Sequence, residues 1–537
     1  MEYELFIFSI LSILNACILC FIGYKFLHIL QLSDYKLVGY IEWAKDTKAK
    51  YLSRLLFLSF LSFSIALVVN ACFISYSKYL SLIGIAFYVL LSIIFISNLV
   101  NAKKKVPLRS TYRMNRLVTV LFIVCFAASF GFLLLGNVLP TYLYVSILTL
   151  SPIFLILLVP LAHYIILPFE ELNKIAHINK AKKKLRKYPY LIKIGITGSY
   201  GKTSVKYILN SMLSNKYNVC MSPHSYNTPM GLCRVVDKYL EPYHEVLIAE
   251  MGANACGDIN FLCQMIEPKM GVITGVGNQH LRTFYSINNI KNTKFELVKF
   301  VEKQNDGFMV FSDDNAIVSN EFYPKCKCDK VLVKMSENDF LYAKDIEKDI
   351  SGTKFNLVYQ NKEYACSTVL VGEHNVKNIL IAAALALKLE VDIKDIVLSI
   401  RDLDFVAHRL EVKKVGDYIV LDDSFNSSVQ GYQSALDVLS LSTGKKIIVT
   451  PGLVELGREE KTANITFGQQ IAKVCDVCIV VNEANATQII EGIKSVEDSG
   501  VEIIQAVNLD DAKIKLAKIV EKDAVVLFEN DLPDNYI

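Results

Sequence analysis

The first 168 residues constrain the fold most. Five apolar segments can be drawn there, at about 4–30, 55–75, 80–100, 117–136 and 140–167, each close to the roughly 20 residues that carry a helix across a bilayer core. In hydrocarbon every backbone N–H and C=O must be satisfied within the chain, so residues 1–168 are predicted to be a multi-span α-helical membrane region. They hold most of the apolar excess of a 537-residue chain that is 53% hydrophobic, with mean hydropathy +0.35. The opening Met1-Glu2-Tyr3-Glu4 is acidic and no small-residue cleavage site follows, so the first segment reads as a span and not as a cleavable signal.

Charge sets the expected topology. The loop 31–54 carries Lys36, Lys45, Lys48, Lys50 and Arg54, and the loop 101–116 carries Lys103, Lys104, Lys105, Arg109, Arg113 and Arg116. The intervening connectors hold only Lys78 and, at 137–139, no charge. Lys/Arg-rich loops stay cytoplasmic, which puts the N-terminus outside and everything after residue 168 inside. The run Lys180, Lys182, Lys183, Lys184, Arg186 and Lys187 falls on the same side. No span carries an acid or a base near its middle, and Asn70 and Asn98 sit near span ends, which argues against an ion path. The spans read as an anchor, or as a cradle for a lipid-linked substrate.

Beyond residue 168 the pattern is that of soluble α/β. A net charge of +4, without a basic stripe interleaved with aromatics, argues against a nucleic-acid partner. The thirteen cysteines are scattered. Cys326 with Cys328 and Cys475 with Cys478 lack a second Cys/His pair at zinc spacing, so reduced, buried thiols are expected in place of a metal centre.

Residues 191–196 read as a buried strand. Thr197-Gly198-Ser199-Tyr200-Gly201-Lys202-Thr203-Ser204 follow, and then apolar positions at helical spacing, Val205, Ile208, Leu209, Met212 and Leu213. Strand, glycine turn and helix opening at Lys-Thr make a phosphate cradle: backbone N–H groups and the helix N-terminus face the anion, Lys202 reaches the outer phosphates and the Thr203 hydroxyl faces Mg²⁺. The eight-residue pattern wants glycine where this chain has Ile196, so the match is to a shorter form. Val246–Ala249 form a second strand ending in Glu250, a carboxylate placed to bind a divalent cation, although a strand-end glutamate is as often a plain surface residue. A third strand, Met270–Thr274, leads to Gly277-Asn278-Gln279-His280, and Lys294 lies on a later helix.

In order, the blocks TGSYGKTS (197–204), YNTPMGL (226–232), EMGAN (250–254), NQH (278–280), TKFEL (293–297), GEHNVKN (372–378), HRLE (408–411) and DDSFN (422–426) resemble the Mur ligase family. Within it they are most similar to the branch that adds D-alanyl-D-alanine to a UDP-N-acetylmuramoyl-tripeptide. The resemblance covers about 190–530. It implies a central P-loop domain with a mostly parallel sheet, a Rossmann-like C-terminal domain, ATP and Mg²⁺, and ADP-forming amide ligation through an acyl phosphate. It further implies that Thr203 and Glu250 hold one Mg²⁺ and that His280 helps hold a second. Lys294 matches the carbamylated lysine, whose modification turns an ammonium into an anionic metal-binding group. Asn375 and Asn378 match residues near the adenine, Asp423 the ribose-contacting acid and Arg409 an inter-domain arginine. Asn227 and Thr228 would line the acceptor site.

Two departures bear on substrate. Membrane segments stand where these ligases carry a UDP-sugar-binding domain. The tail Phe528-Glu529-Asn530-Asp531-Leu532-Pro533-Asp534-Asn535 is acidic where the branch has Lys-Gly-Ser-Arg, which points to a different or cationic amine donor. The expected organisation is a membrane region 1–168, a basic linker 169–190, a central ATP-binding domain 191–405 and a C-terminal domain 406–537 with strands at 418–422, 446–450, 478–482, 502–505 and 525–528, the site lying between the last two domains. The expected activity is a membrane-anchored ligase acting on an envelope precursor, lipid-linked or UDP-linked, with an amino-acid or peptide donor. A polyglutamate-synthase-like polymer ligase, a nucleotide-gated membrane regulator and a non-catalytic scaffold are the competing readings.

Overall fold

The computed structural model describes residues 2–33, 35–46, 50–72, 81–101, 108–134, 146–313, 316–336, 340–425, 428–482 and 485–530. They divide into two compact units, with the boundary in the chain after residue 175.

The N-terminal unit is helical. Glu2–Ile22 and Tyr24–Leu32 form a pair bent by 45° at Gly23. Leu37–Asp46, Lys50–Cys72, Ser81–Asn101 and Tyr112–Leu134 follow, and Leu155–Leu185 closes the series. Among the described residues, two helices are long and apolar enough to cross a membrane, Tyr112–Phe132 and Ser146–Leu185, or three if the bent pair counts as one. The segments expected at 55–75 and 80–100 supply the shorter apolar helices Ser53–Val68 and Ala86–Ser97. Lys48, Lys78, Lys103, Lys104, Lys105 and the connector 137–139 lie outside the described residues, as do the side chains of Asn70 and Asn98.

Two expectations change here. The loop at 31–54 contains the helix Leu37–Asp46, whose Tyr40 is buried and meets Phe26 and Trp43 ring to ring. The linker expected from 169 is helical as far as Leu185: Pro160 and Pro168 lie inside the last helix and do not end it. The apolar core of this unit holds a neutral polar knot. The Asn15 amide donates to Ser129 Oγ at 2.8 Å and Ser151 Oγ at 3.1 Å, and Tyr88 donates to Asn15 Oδ1 at 3.0 Å.

The second unit contains two six-stranded sheets, the first wholly parallel and the second parallel except at one edge. In the first, β1 (Ile192–Thr197), β2 (Val219–Met221), β3 (Val246–Glu250), β4 (Met270–Ile273), β5 (Phe308–Ser312) and β6 (Asp329–Val333) run in the order β2-β3-β1-β4-β5-β6. The continuous apolar character of β3, β4 and β5 follows from burial on both faces. Helices Lys202–Leu213 and Glu373–Lys388 cover one face, and Pro229–Lys238, Asp258–Ile266 and Ile287–Val301 the other. An antiparallel sheet of β7 (Leu341–Asp349), β8 (Gly352–Tyr359) and β9 (Lys362–Thr368), not foreseen in the sequence, packs into the first of these cores.

The C-terminal sheet has the order β10-β11-β15-β12-β13-β14, from β10 (Glu411–Val415), β11 (Tyr418–Asp423), β12 (Lys446–Thr450), β13 (Val477–Val481), β14 (Glu502–Ala506) and β15 (Val525–Glu529). The five predicted strands are present within a residue. The sixth, β10, pairs antiparallel with β11 and places the HRLE block at the sheet edge.

Candidate functional site

The site forms where the first sheet reverses strand order. From β1 the neighbours run outward to β3 on one side and β4 on the other, so the carboxyl ends of these three strands open a crevice. The glycine turn follows β1 directly. Gly201 has φ +78°, in the left-handed region, and a Cβ there would stand 3.0 Å from Asn378 Oδ1. A Cβ at Gly198 would collide with Thr274 Oγ1. Only bare backbone fits at these two positions, as a loop wrapped around phosphate requires.

The rest of the loop is fixed by its neighbours. Thr197 Oγ1 donates to Met251 O at 2.9 Å, Ser199 N to Gly275 O at 2.8 Å, and Gly277 N to Ser199 Oγ at 3.0 Å. The Tyr200 carbonyl accepts from Thr274 Oγ1, while its ring lies against Gly275. Lys202 folds back to donate to Gly198 O at 2.8 Å and Ser199 O at 3.1 Å. Desolvation lowers its ammonium to about 8 against the opposing pull of Glu250. Ser204 is half-buried in the first helical turn.

Glu250, at the end of β3, is the hub. It is 1% exposed, and its carboxylate lies 3.2 and 3.3 Å from Thr203 Oγ1. Asn227 Nδ2 donates to Oε1 at 3.0 Å and Lys206 Nζ to Oε2 at 3.0 Å. Burial pushes this carboxyl up, but Lys206, Lys202 and the Asn227 amide together outweigh it and hold the group below the usual carboxylate range. The hard oxygens of Thr203 and an ionised Glu250, side by side at the glycine loop, are the kind of donors that could hold a Mg²⁺ ion.

The C-terminal domain reaches the same point. Arg409 Nη2 is 3.5 Å from Thr203 Oγ1, and its guanidinium lies 4.2 Å from the centre of the Phe425 ring. Asp423 accepts from Leu410 N at 3.1 Å, and burial raises its carboxyl to about 6. Asn375 donates to Val371 O at 2.9 Å, and Asn378 donates to Asn375 Oδ1 at 3.4 Å beside the loop.

Other predicted residues sit differently. His280 has φ +56°, and its Nδ1 lies 2.7 Å from Glu455 Oε2, a contact across the two domains that also lowers the Glu455 carboxyl. No described contact joins His280 to Glu250. Lys294 is buried, with no described hydrogen bond. Desolvation and the charge of Lys202 lower its ammonium to about 7. Thr228 caps the helix Pro229–Lys238, its Oγ1 accepting from Gly231 N at 3.2 Å. The acidic tail beyond Asn530 lies outside the described residues. Sequence reasoning missed Lys206, although it lies four residues after Lys202 and so on the same helix face.

Comparison with known proteins agrees with this geometry. Residues 196–386 match the Mur ligase middle domain. The UDP-N-acetylmuramoyl-tripeptide–D-alanyl-D-alanine ligases of Buchnera aphidicola and Bacillus subtilis are 26% and 27% identical over 284 and 282 residues, in each case 52% of this chain and 60% of the relative. The chain thus spans about three fifths of the length of these relatives, and its N-terminal region is extra to them. Among solved structures, MurF from Acinetobacter baumannii aligns with TM-score 0.61 at 22% identity, over 67% of this chain and 77% of that one. The MurF ligase from Thermotoga maritima in complex with ADP aligns with TM-score 0.59 at 25% identity, over 67% and 80%.

Proposed function

Taking residues 196–386 as a Mur ligase middle domain, we propose that the chain is an ATP-dependent, ADP-forming carboxylate–amine ligase acting on a peptidoglycan-type envelope precursor. The observation that carries this reading is the buried Thr203–Glu250 oxygen pair at a glycine cradle, with the cations Lys202 and Arg409 beside it. Such a site gathers polyanions. An acceptor carboxylate oxygen attacks the γ-phosphorus of ATP and ADP leaves. The neutral amine of the donor then attacks the acyl carbon, loses a proton, and phosphate departs, leaving an amide.

Each residue has a part in that sequence. The loop N–H groups and Lys202 bind the phosphates. Lys202 releases the Gly198 and Ser199 carbonyls to do so, and Arg409 brings a cation from the second domain. Thr203 and Glu250 would hold Mg²⁺, which supplies Lewis-acid neutralisation of phosphate charge. Lys294, partly neutral at physiological pH, suits capture of CO₂ as a carbamate, with His280 as a partner near a second cation. Asn375, Asn378 and Asp423 face the nucleoside, and Asn227 the acceptor.

The basic loops and long apolar helices support anchoring at a membrane, with the ligase unit on its cytoplasmic side. The extra N-terminal region leaves both a lipid-linked and a UDP-linked acceptor compatible with the site. Purified full-length protein should release ADP in Mg²⁺ only when a carboxylate acceptor, such as a UDP-muramoyl-tripeptide, and an amine donor, such as D-alanyl-D-alanine, are both supplied. Equal release from ATP alone removes the ligase reading. Mass spectrometry of envelope precursors that accumulate without the enzyme would identify the acceptor.

A further inference from the structure

Lys206 is fully buried on the helix that opens at the phosphate loop, and nothing in the ligation chemistry above requires it. Its ammonium donates to Glu250 Oε2 at 3.0 Å and to the carbonyl of His224. His224 has φ +47° and belongs to the turn that ends in Asn227, whose amide holds the other oxygen of the same carboxylate. One cation therefore ties three elements together: the phosphate-loop helix, the end of β3, and the turn bearing the candidate acceptor residues. Asn227 O also accepts from Gly252 N at 2.9 Å, which closes the turn onto the segment after β3.

This arrangement restrains Glu250 from both sides. With Oε2 tied to Lys206 and Oε1 to Asn227, the carboxylate cannot rotate away from Thr203. A neutral side chain of similar length would fill the same space without holding the oxygen. We propose that Lys206 is a positioning residue that fixes Glu250 for the divalent cation and couples the 222–228 turn to nucleotide–metal binding. The proposal rests on the reading of Thr203 and Glu250 as cation ligands. An outer group that orients a metal ligand typically changes metal affinity by about 10- to 100-fold when removed.

The test uses full-length protein in detergent, with Mn²⁺ followed by electron paramagnetic resonance and ADP binding measured in EDTA and in metal. Lys206→Met should weaken Mn²⁺ binding in the presence of ADP by about 10-fold or more. Its ADP affinity in EDTA should stay within about twofold of wild type, since the loop N–H groups are untouched. Lys206→Arg should recover part of the Mn²⁺ affinity. Should the Met variant misfold, Lys206→Gln, which keeps a hydrogen-bond donor, takes its place. Unchanged Mn²⁺ affinity in a folded variant overturns the proposal, as does an equal loss of ADP affinity with and without metal, the mark of a merely structural role. A wild-type chain whose ADP binding ignores metal overturns the underlying site reading as well, which separates the two failures.

Discussion

Both units bury a polar hub, and the two hubs are built on opposite principles. In the N-terminal unit, Asn15 exchanges hydrogen bonds with Ser129, Ser151 and Tyr88, all neutral, so the hub is held without net charge. In the second unit, Glu250 draws Lys206 and Thr203 to itself, with Lys202 and Arg409 close behind. The cations Lys202, Lys206 and Arg409 outnumber the carboxyl groups of Glu250 and Asp423 there, a balance that suits an added anion. A matched neutral hub holds helices together. A mismatched charged hub suits a polyanion, and such hubs are held at a cost in stability.

The sharpest way to break the contrast is to remove the carboxylate. Glu250→Ala leaves Lys206 buried without a counterion, so we expect about 3–5 kcal/mol of destabilisation by chemical denaturation. Ligation, followed as ADP release, should fall by at least about 10²–10³-fold. A loss below ~1 kcal/mol, the level of an exposed acid, would mean that the hub is not charged as described.

Lys294 gives the next largest effect. Burial and the charge of Lys202 lower its ammonium to about 7 in the folded chain, against 10.5 for an ordinary lysine, so between those pH values the unfolded chain binds a proton that the folded chain has released. Stability therefore gains as pH rises from 7 to 10.5, and the full cost is present below 7. Lys294→Met should be more stable than wild type by an amount largest below pH 7 and shrinking toward pH 10.5, as read by thermal unfolding across pH. A pH-independent difference would show that the amine is solvated. Lys294→Ala should lose most ligation and regain some with added short-chain carboxylates.

The neutral hub should respond more mildly. Asn15→Leu deletes its shared partner, for which about 1–2 kcal/mol is expected in a helical apolar environment. Ligation by detergent-solubilised protein should be unchanged, because the network lies wholly in the N-terminal unit. A loss of ligation comparable to that of Glu250→Ala would tie the two hubs together and end the contrast.

How far the sequence disclosed these hubs follows from the range of the interactions. The glycine turn, its strand and its helix are contiguous, so Gly198, Gly201, Lys202 and Thr203 were legible, and the C-terminal strands were marked by short apolar runs between turns. Pairings distant in sequence were not. Lys206 reads as an ordinary polar position on an amphipathic helix until β3 brings Glu250, 44 residues away, to its ammonium. The partner of His280 is more remote still, because Glu455 arrives from the other domain, 175 residues away. Strands β7 and β9 were hidden by adjacent charges, Lys344-Asp345, Glu347-Lys348-Asp349 and Lys362-Glu363, which break the alternation that marks a half-buried strand. The helix after Pro168 was hidden by a polar composition that reads as linker.

Thr228 offers the smallest and most discriminating test. The resemblance assigns it to the acceptor site, whereas its Oγ1 is engaged in capping the helix Pro229–Lys238, next to Asn227 on the charged hub. A cap needs only a side-chain oxygen at that position. Thr228→Ala should therefore cost about 1 kcal/mol, and Thr228→Ser should recover it. If capping is its whole role, KM for the acceptor is the same in all three proteins and only the melting temperature moves. If the hydroxyl also serves the acceptor, Thr228→Ala raises KM beyond what lost stability explains. The acceptor site would then extend from the Glu250 hub along the N-terminus of that helix, where free N–H groups favour an anionic substrate.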